Sequence, residues 1–485
     1  MDSNLRRWTA LVVVCFGQLM IMLDSTIVNV ALPSIQHDLH FTQAGLTWVV
    51  NAYLIAYGSF LLVAGRAGDL IGRRKVFLAG VLLFTAASVA SGFSQGVEGL
   101  IAGRFIQGLG GSLSAGVIIA IIVTEFSKPL ERAQAMSVFT FTIAAGGSLG
   151  LLAGGMLTQW VNWHWIFFIN VPIGLFTLVM GAWLINENQG LGLRQGLDIA
   201  GAVLITTSMV VGVYAIVTAA DAGWTSVHTL GLGGVAVALV VAFVALESRL
   251  SNPLVPLRIF RLRSLSGATA VRAFVFAGMF ANFFIGALYL QHIKGMDAIQ
   301  IGLAFLPMTL VLGAFSSGIT VRLMSRYGAR NLAAVGLVAI TAALFLLSRV
   351  DSHTAYFPDL LVSYLLFGLG GGIAFLPLIT IAMSEVPTAD AGLASGFSNL
   401  TMQIGGAVGL AVLGTVSSGH TSALMTQGQA VADALTGGYR LAFLIAAGSV
   451  ATGLLLMFAV LRPAARAPRV EPLQLEADRA EAEVA

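Results

Sequence analysis

Long apolar runs separated by short polar ones set the pattern of this chain. Fourteen such runs are found at 9–32, 46–66, 76–93, 98–124, 134–158, 164–185, 197–218, 228–246, 266–290, 301–321, 331–348, 359–382, 392–415 and 439–461. Each has about the 20 residues an α-helix needs to cross a bilayer core, where a membrane barrel would show ten-residue alternations. The pattern predicts an all-α integral membrane protein with 14 transmembrane helices.

Composition agrees. Hydrophobic residues make up 57% of the 485 and charged ones 10%, which no water-soluble domain of this length carries. Charge placement then tests the span count. With alternate loops taken as cytoplasmic from the N-terminus, 20 of the 25 Lys and Arg residues fall inside. Lys294, Arg349 and Arg440 fall outside, and Arg104 and Arg272 lie within spans. Miscounting one helix would scramble this asymmetry, so the positive-inside rule supports 14 spans with both termini cytoplasmic. The net charge of +3 is then a matter of topology, not of nucleic-acid binding. Arginine outnumbers lysine 22 to 3, a bias of GC-rich bacterial genomes that points to a bacterial inner membrane.

Several chemistries drop out. Arg6 and Arg7 precede an apolar run too long for a signal peptide and lacking a small-residue cleavage site, so an uncleaved first span is expected. The single Cys15 excludes an internal disulfide, and no His spacing suits a metal. No GxxxxGK phosphate loop is present, and no cofactor is expected. Without a nucleophile–base spacing, no enzyme is expected either.

The chain repeats itself weakly. GRAGDLIGRR (65–74) and TVRLMSRYGAR (320–330) each follow a span. At an offset of 256 residues Arg66 matches Arg322, Gly72 matches Gly328 and Arg74 matches Arg330, while Asp69 matches Ser325. Two six-span halves related this way mark a transporter with its site at their interface. The expected division is an N-terminal six-helix bundle over 1–190, a two-helix insert and linker over 191–262, and a C-terminal six-helix bundle over 263–462. A disordered cytoplasmic tail is expected over 463–485.

Ordered motifs carry a family resemblance. LDSTIVNVALP in the first span, AGRAGDLIGRRKVFL between spans 2 and 3, and RFIQGLGG in the fourth come first. GGSLGLLAGG in the fifth, WHWIFFINVPIG after it, NPLVPLRIF and SGFSNLTMQIGG follow. Together they resemble the major facilitator superfamily, and within it the fourteen-span drug:proton antiporters, over nearly everything from Asp24 to Arg462. Leu70 and His164 stand where those motifs carry arginine, and Leu151 where the fifth-span motif carries proline. Gly146, Gly150, Gly154 and Gly155 remain, a smooth helix face suited to close packing.

The charges locate the candidate chemistry. Asp24 alone among the acids sits well inside a span, about seven residues or roughly 10 Å from its outer end. Arg104, about six residues into span 4, and Tyr53, about seven into span 2, reach the same depth. A membrane-buried ionisable group is by default a functional one. Arg104, at the same depth, is the expected partner of Asp24, moving nearer or farther as the acid binds and releases a proton. The resemblance likewise implies proton coupling at Asp24. The competing reading is a permanent ion pair that fixes helix packing. Arg272 is read as snorkelling to the cytoplasmic side from span 9. The resemblance further implies that Asp69, Arg73 and Glu125 latch a cytoplasmic gate.

For substrate the candidates are Asn51, Tyr53, Tyr57 and Gln107, with Asn282, Phe283 and Tyr289 on span 9 and Asn399 and Gln403 on span 13. Aromatic faces with a few polar groups suit an amphipathic small molecule. The expected function is proton-coupled export of drug-like or natural-product molecules by alternating access, from a chain working as a monomer in the lipid bilayer. A proton-coupled nutrient symporter and a non-transporting sensor or scaffold are the alternatives.

Overall fold

The structure, a computed structural model, describes residues 3–461 apart from 41–42, 188–189, 191, 193–197, 251–252, 254, 256 and 388–389. The tail expected over 463–485 lies outside the described residues. Among the described residues the regular structure is wholly helical, which lets each segment pair its own backbone groups in hydrocarbon. The first helices are α1 (Ser3–Leu39), α2 (Gln43–Ile71), α3 (Arg73–Gly92), α4 (Val97–Glu125), α5 (Pro129–Trp160), α6 (Trp165–Phe168) and α7 (Asn170–Leu184). Then come α8 (Ile199–Ala222) and α9 (Val227–Glu247). The last are α10 (Arg263–His292), α11 (Ala298–Ala314), α12 (Thr320–Tyr327), α13 (Ala329–Leu347), α14 (Leu361–Met383), α15 (Ala391–Thr426) and α16 (Val431–Val460).

Among the described residues, 12 helices are long and apolar enough to cross a membrane, with α6 and α7 forming one of them. Two further apolar stretches, Ala200–Ile216 in α8 and Ile299–Ala314 in α11, are shorter. The run expected at 301–321 is interrupted by a π-helical turn at Phe315–Ile319 before α12. In the opposite sense, α2 runs on to Ile71, past the end expected at 66, so Asp69 lies in helix and not in a loop.

Helices before α8 pack chiefly on one another, as do those from α10 onward. The two groups meet along α2–α15, α4–α15 and α5–α11, while α8 leans on α2 and α15 and holds α9 outside it. The end where α1 starts and α16 stops is called the near end below.

The weak sequence repeat is a structural one. Gly72 between α2 and α3 (φ 115°) and Gly328 between α12 and α13 (φ 82°) occupy the left-handed region that disfavours other residues. Two residues on, the Arg74 guanidinium donates to the carbonyl of Ala182 near the end of α7. Arg330 donates to the carbonyl of Phe458 near the end of α16, at 3.0 Å. The same offset of 256 extends to Gly80 and Gly336, which press against the backbones of Gly110 and Gly370 on the following long helix. Each matched pair therefore does one job twice: a turn, a tether to the last helix of its group, and a close helix crossing.

Candidate functional site

Asp24 is fully buried in the middle of α1, and two other helices supply its donors. Arg104 of α4 donates to Oδ2 at 2.5 Å, while Gln107 of α4 and Asn170 of α7 donate to Oδ1 at 3.1 and 2.9 Å. Ser88 of α3 completes the cluster, its Oγ 2.7 Å from Gln107 Nε2 and 3.4 Å from Asn170 Nδ2. Arg104 also donates through Nε to the carbonyl of Val49 on α2, and its guanidinium lies 4.4 Å from the centre of the Tyr53 ring. Three donors and no acceptor around the carboxylate form the environment of an ionised acid. Added to Asp24, a proton would need an acceptor. Asn170 Oδ1 is buried beside it without a hydrogen-bond partner, and an amide rotation would present it.

The glycines of α5 bring that helix onto α1 at the same level. Gly146 lies against Met22, Gly150 against Leu23 and Thr26, and Gly154 against Ile27, so any side chain there would strike α1. Gly155 is buried, and α5 is continuous through position 151.

At the near end the two groups of helices are joined by Asp69. Its carboxylate accepts from Arg73 at 2.8 Å and from the backbone amides of Gly392 and Leu393, both at 3.0 Å, the first residues of α15 after Ala391. A carboxylate at a helix N-terminus is favourably placed against its unpaired amides and dipole. Around it the backbones nearly touch: Gly65 packs on Gly392, and Gly396 packs on the Leu61 carbonyl. Glu125, expected in this latch, accepts from Asn186 at 2.9 Å.

The residues expected to meet substrate are scattered. Tyr53 and Tyr57 are buried and stacked at 5.7 Å; Asn51, two residues before Tyr53 on α2, is half-buried. Gln107 belongs to the Asp24 cluster. Asn399 of α15 donates across the groups to the Ala115 carbonyl of α4 at 3.0 Å, and Gln403 is half-buried one turn on. Asn282 contacts the Met308 sulfur at 3.4 Å, and Phe283 packs on Phe305. Tyr289 turns instead to the far end, donating to the Asp351 carbonyl at 2.7 Å. Arg272 does not snorkel. Only 4% exposed, it donates sideways to Ser398 Oγ and towards Met402 Sδ on α15. Open cavities of about 600 and 640 Å³ lie at the far end, around Asp433 and around Asp38, away from Asp24.

Sequence reasoning missed Ser88 and Asn170. A lone serine or asparagine inside an apolar run is the available signal, and it is shared with many residues that merely bond their own helix.

The comparisons with known proteins agree with this architecture. The family model "Major Facilitator Superfamily" matches residues 14–410. The chain is 36% identical over 462 residues to the puromycin resistance protein pur8 of Streptomyces alboniger, covering 94% of this chain and 90% of that one. It is 35% identical over 418 residues to the cephamycin export protein CmcT of Amycolatopsis lactamdurans, covering 85% and 86%. In fold it is similar to the human organic anion transporter MFSD10 (TM-score 0.67, 14% identity), covering 93% of this chain and 99% of that one. By the extent of the family match, the chain belongs to the Major Facilitator Superfamily, whose members are transporters and not enzymes.

Proposed function

We propose that this protein is a fourteen-span exporter of amphipathic drug-like or natural-product molecules, driven by protons through alternating access. The observation that carries the reading is Asp24: a carboxylate fully buried in the middle of α1, held by Arg104, Gln107 and Asn170 from two other helices. Relatives named for puromycin resistance and cephamycin export support the substrate class. Spans 7 and 8 correspond to α8 and α9, an insert between two six-helix bundles at 1–190 and 263–462. The near end faces the bacterial cytoplasm with both chain termini, in keeping with the positive-inside rule.

In this reading the conformation described has its cytoplasmic gate closed by Asp69 on α15. A proton arriving from outside neutralises Asp24, weakens its hold on Arg104, and frees the helices of the first bundle to rearrange and release substrate. Proton loss to the cytoplasm restores the pair. No cofactor is needed, and one chain suffices.

The test is a resistance panel in a drug-sensitive host, with everted vesicles to follow the proton. The wild type is expected to confer resistance and to make the acid vesicle lumen more alkaline on substrate addition, and Asp24→Asn to do neither. Resistance that survives collapse of the proton gradient would exclude the coupling.

A further inference from the structure

The second group of helices buries a cation with no acid to match it. Arg272 lies nine residues into α10, roughly 14 Å along the helix, and is 4% exposed. No Asp or Glu occurs in α10, which carries it, or in α14 and α15, which pack on α10. The other large neighbour, α16, holds one acid, Asp433, in its first turn at the far end. The hydrogen-bond partners of Arg272 are the Ser398 hydroxyl and the Met402 thioether, and its guanidinium lies 5.9 Å from the centre of the Phe276 ring. A thioether at 3.8 Å is a weak acceptor, and neither partner is charged. Arg104, at the other side of the bundle interface, is by contrast neutralised by Asp24.

Burying an uncompensated cation costs several kcal/mol, so a site that keeps one has a use for it or a partner that comes and goes. Two more observations point to a visiting anion. Thr269 Oγ1, one turn before Arg272 on α10, and Ser395 Oγ, one turn before Ser398 on α15, are buried hydroxyls without hydrogen-bond partners. In addition, Asn399, next to Ser398, spans the junction with α4. The Arg272 site on α15 thus lies one residue from a contact with α4, beside the junction where α2 and α4 would part from α15 at the near end.

We propose that Arg272, with the hydroxyls of Ser398, Ser395 and Thr269, binds the acidic group of an exported molecule: a carboxylate, sulfonate or ionised phenol on an apolar body. The guanidinium fork matches a planar carboxylate, and the hydroxyls donate to its remaining lone pairs. Opening of the Asp69 gate exposes the site to the near end, and closing it buries the anion with its counter-charge. This assignment rests on the export reading above and adds to it the charge of the substrate.

The experiment compares a cephamycin, which carries a carboxylate, with puromycin, which carries an amine, in transport by everted vesicles. Wild type, Arg272→Gln, Arg272→Lys and Ser395→Ala are measured at matched membrane abundance. Losing a charge-assisted bond predicts a drop of about tenfold or more in cephamycin transport for Arg272→Gln. Puromycin transport should persist, with Arg272→Lys intermediate for the cephamycin. If Arg272→Gln fails to accumulate, Ser395→Ala, which keeps the charge, should still lower cephamycin transport selectively. Equal loss of both compounds, or loss of neither, overturns the proposal. Wild-type export of puromycin alone overturns the anion assignment and leaves the export reading standing. Export of neither compound removes the export reading and this proposal with it.

Discussion

Asp69 near the end of α2 accepts the backbone amide of Gly392 at the start of α15, a 3.0 Å bond between residues 323 apart in the chain. The same carboxylate oxygen is held by Arg73, so one side chain both caps a helix of the second group and anchors to its own. In the proposed cycle, closure of the near end would depend on this one acid meeting a helix N-terminus.

Replacing this aspartate by asparagine removes the charge and one acceptor while leaving the pocket untouched. A hydrogen bond to a charged group is worth about 1.5–3 kcal/mol, so Asp69→Asn is expected to shift the gate at least about tenfold towards open. Spin labels at Lys75 and Arg326, both exposed at the near end, should move apart, and transport should fall while substrate affinity holds. A matching loss of affinity would instead put Asp69 in the substrate site. Ser325→Asp, at the repeat position without an acid, should change little.

Gly396 tests the same closure by sterics. A Cβ there would come within 2.5 Å of the Leu61 carbonyl oxygen, nearer than side chains approach backbone. Gly396→Val is therefore expected to hold the near end open and abolish transport, with the label distance increased as for Asp69→Asn. An unchanged distance would mean that α2 and α15 can shift apart without opening the gate.

Asp24→Asn should do more than remove a proton site. Arg104, Gln107 and Asn170 all present donors to Asp24, so the new amide NH₂ finds an acceptor only if the Asn170 amide rotates to offer its Oδ1. Breaking a buried pair costs about 3–5 kcal/mol, and the thermal midpoint should drop. Transport per folded molecule separates the two roles. Proton-driven accumulation should vanish while downhill exchange remains. If a neutral double replacement of Asp24 and Arg104 regains both stability and active transport, the pair is a packing device only.

Topology is open to a direct test in a Cys15→Ser background. Cysteines placed at Thr225 and His353, both exposed at the far end, should react with an impermeant thiol reagent on intact cells. One placed at Lys75 should not. Protection at position 225 together with reaction at 353 would mean that α8 and α9 do not cross the membrane.

Much of this architecture was written into the sequence by itself. Burial in hydrocarbon forces backbone pairing within each segment, so apolar run length fixes where helices lie with little help from packing. The offset of 256 also foretold the paired turns at Gly72 and Gly328, because only glycine adopts that backbone without cost. Depth counting along ideal helices brought Asp24 and Arg104 to one level, since rise per residue is constant. Rotation about each helix axis is not so constrained. Which of many serines and asparagines turns inward is decided by packing, and only the tertiary structure set Ser88 and Asn170 beside Asp24. The same holds for Arg272: the sequence placed it within reach of the surface, where snorkelling is cheap. Packing of α10 on α15 turned it instead towards Ser398, into an interior that holds no acid for it on either helix.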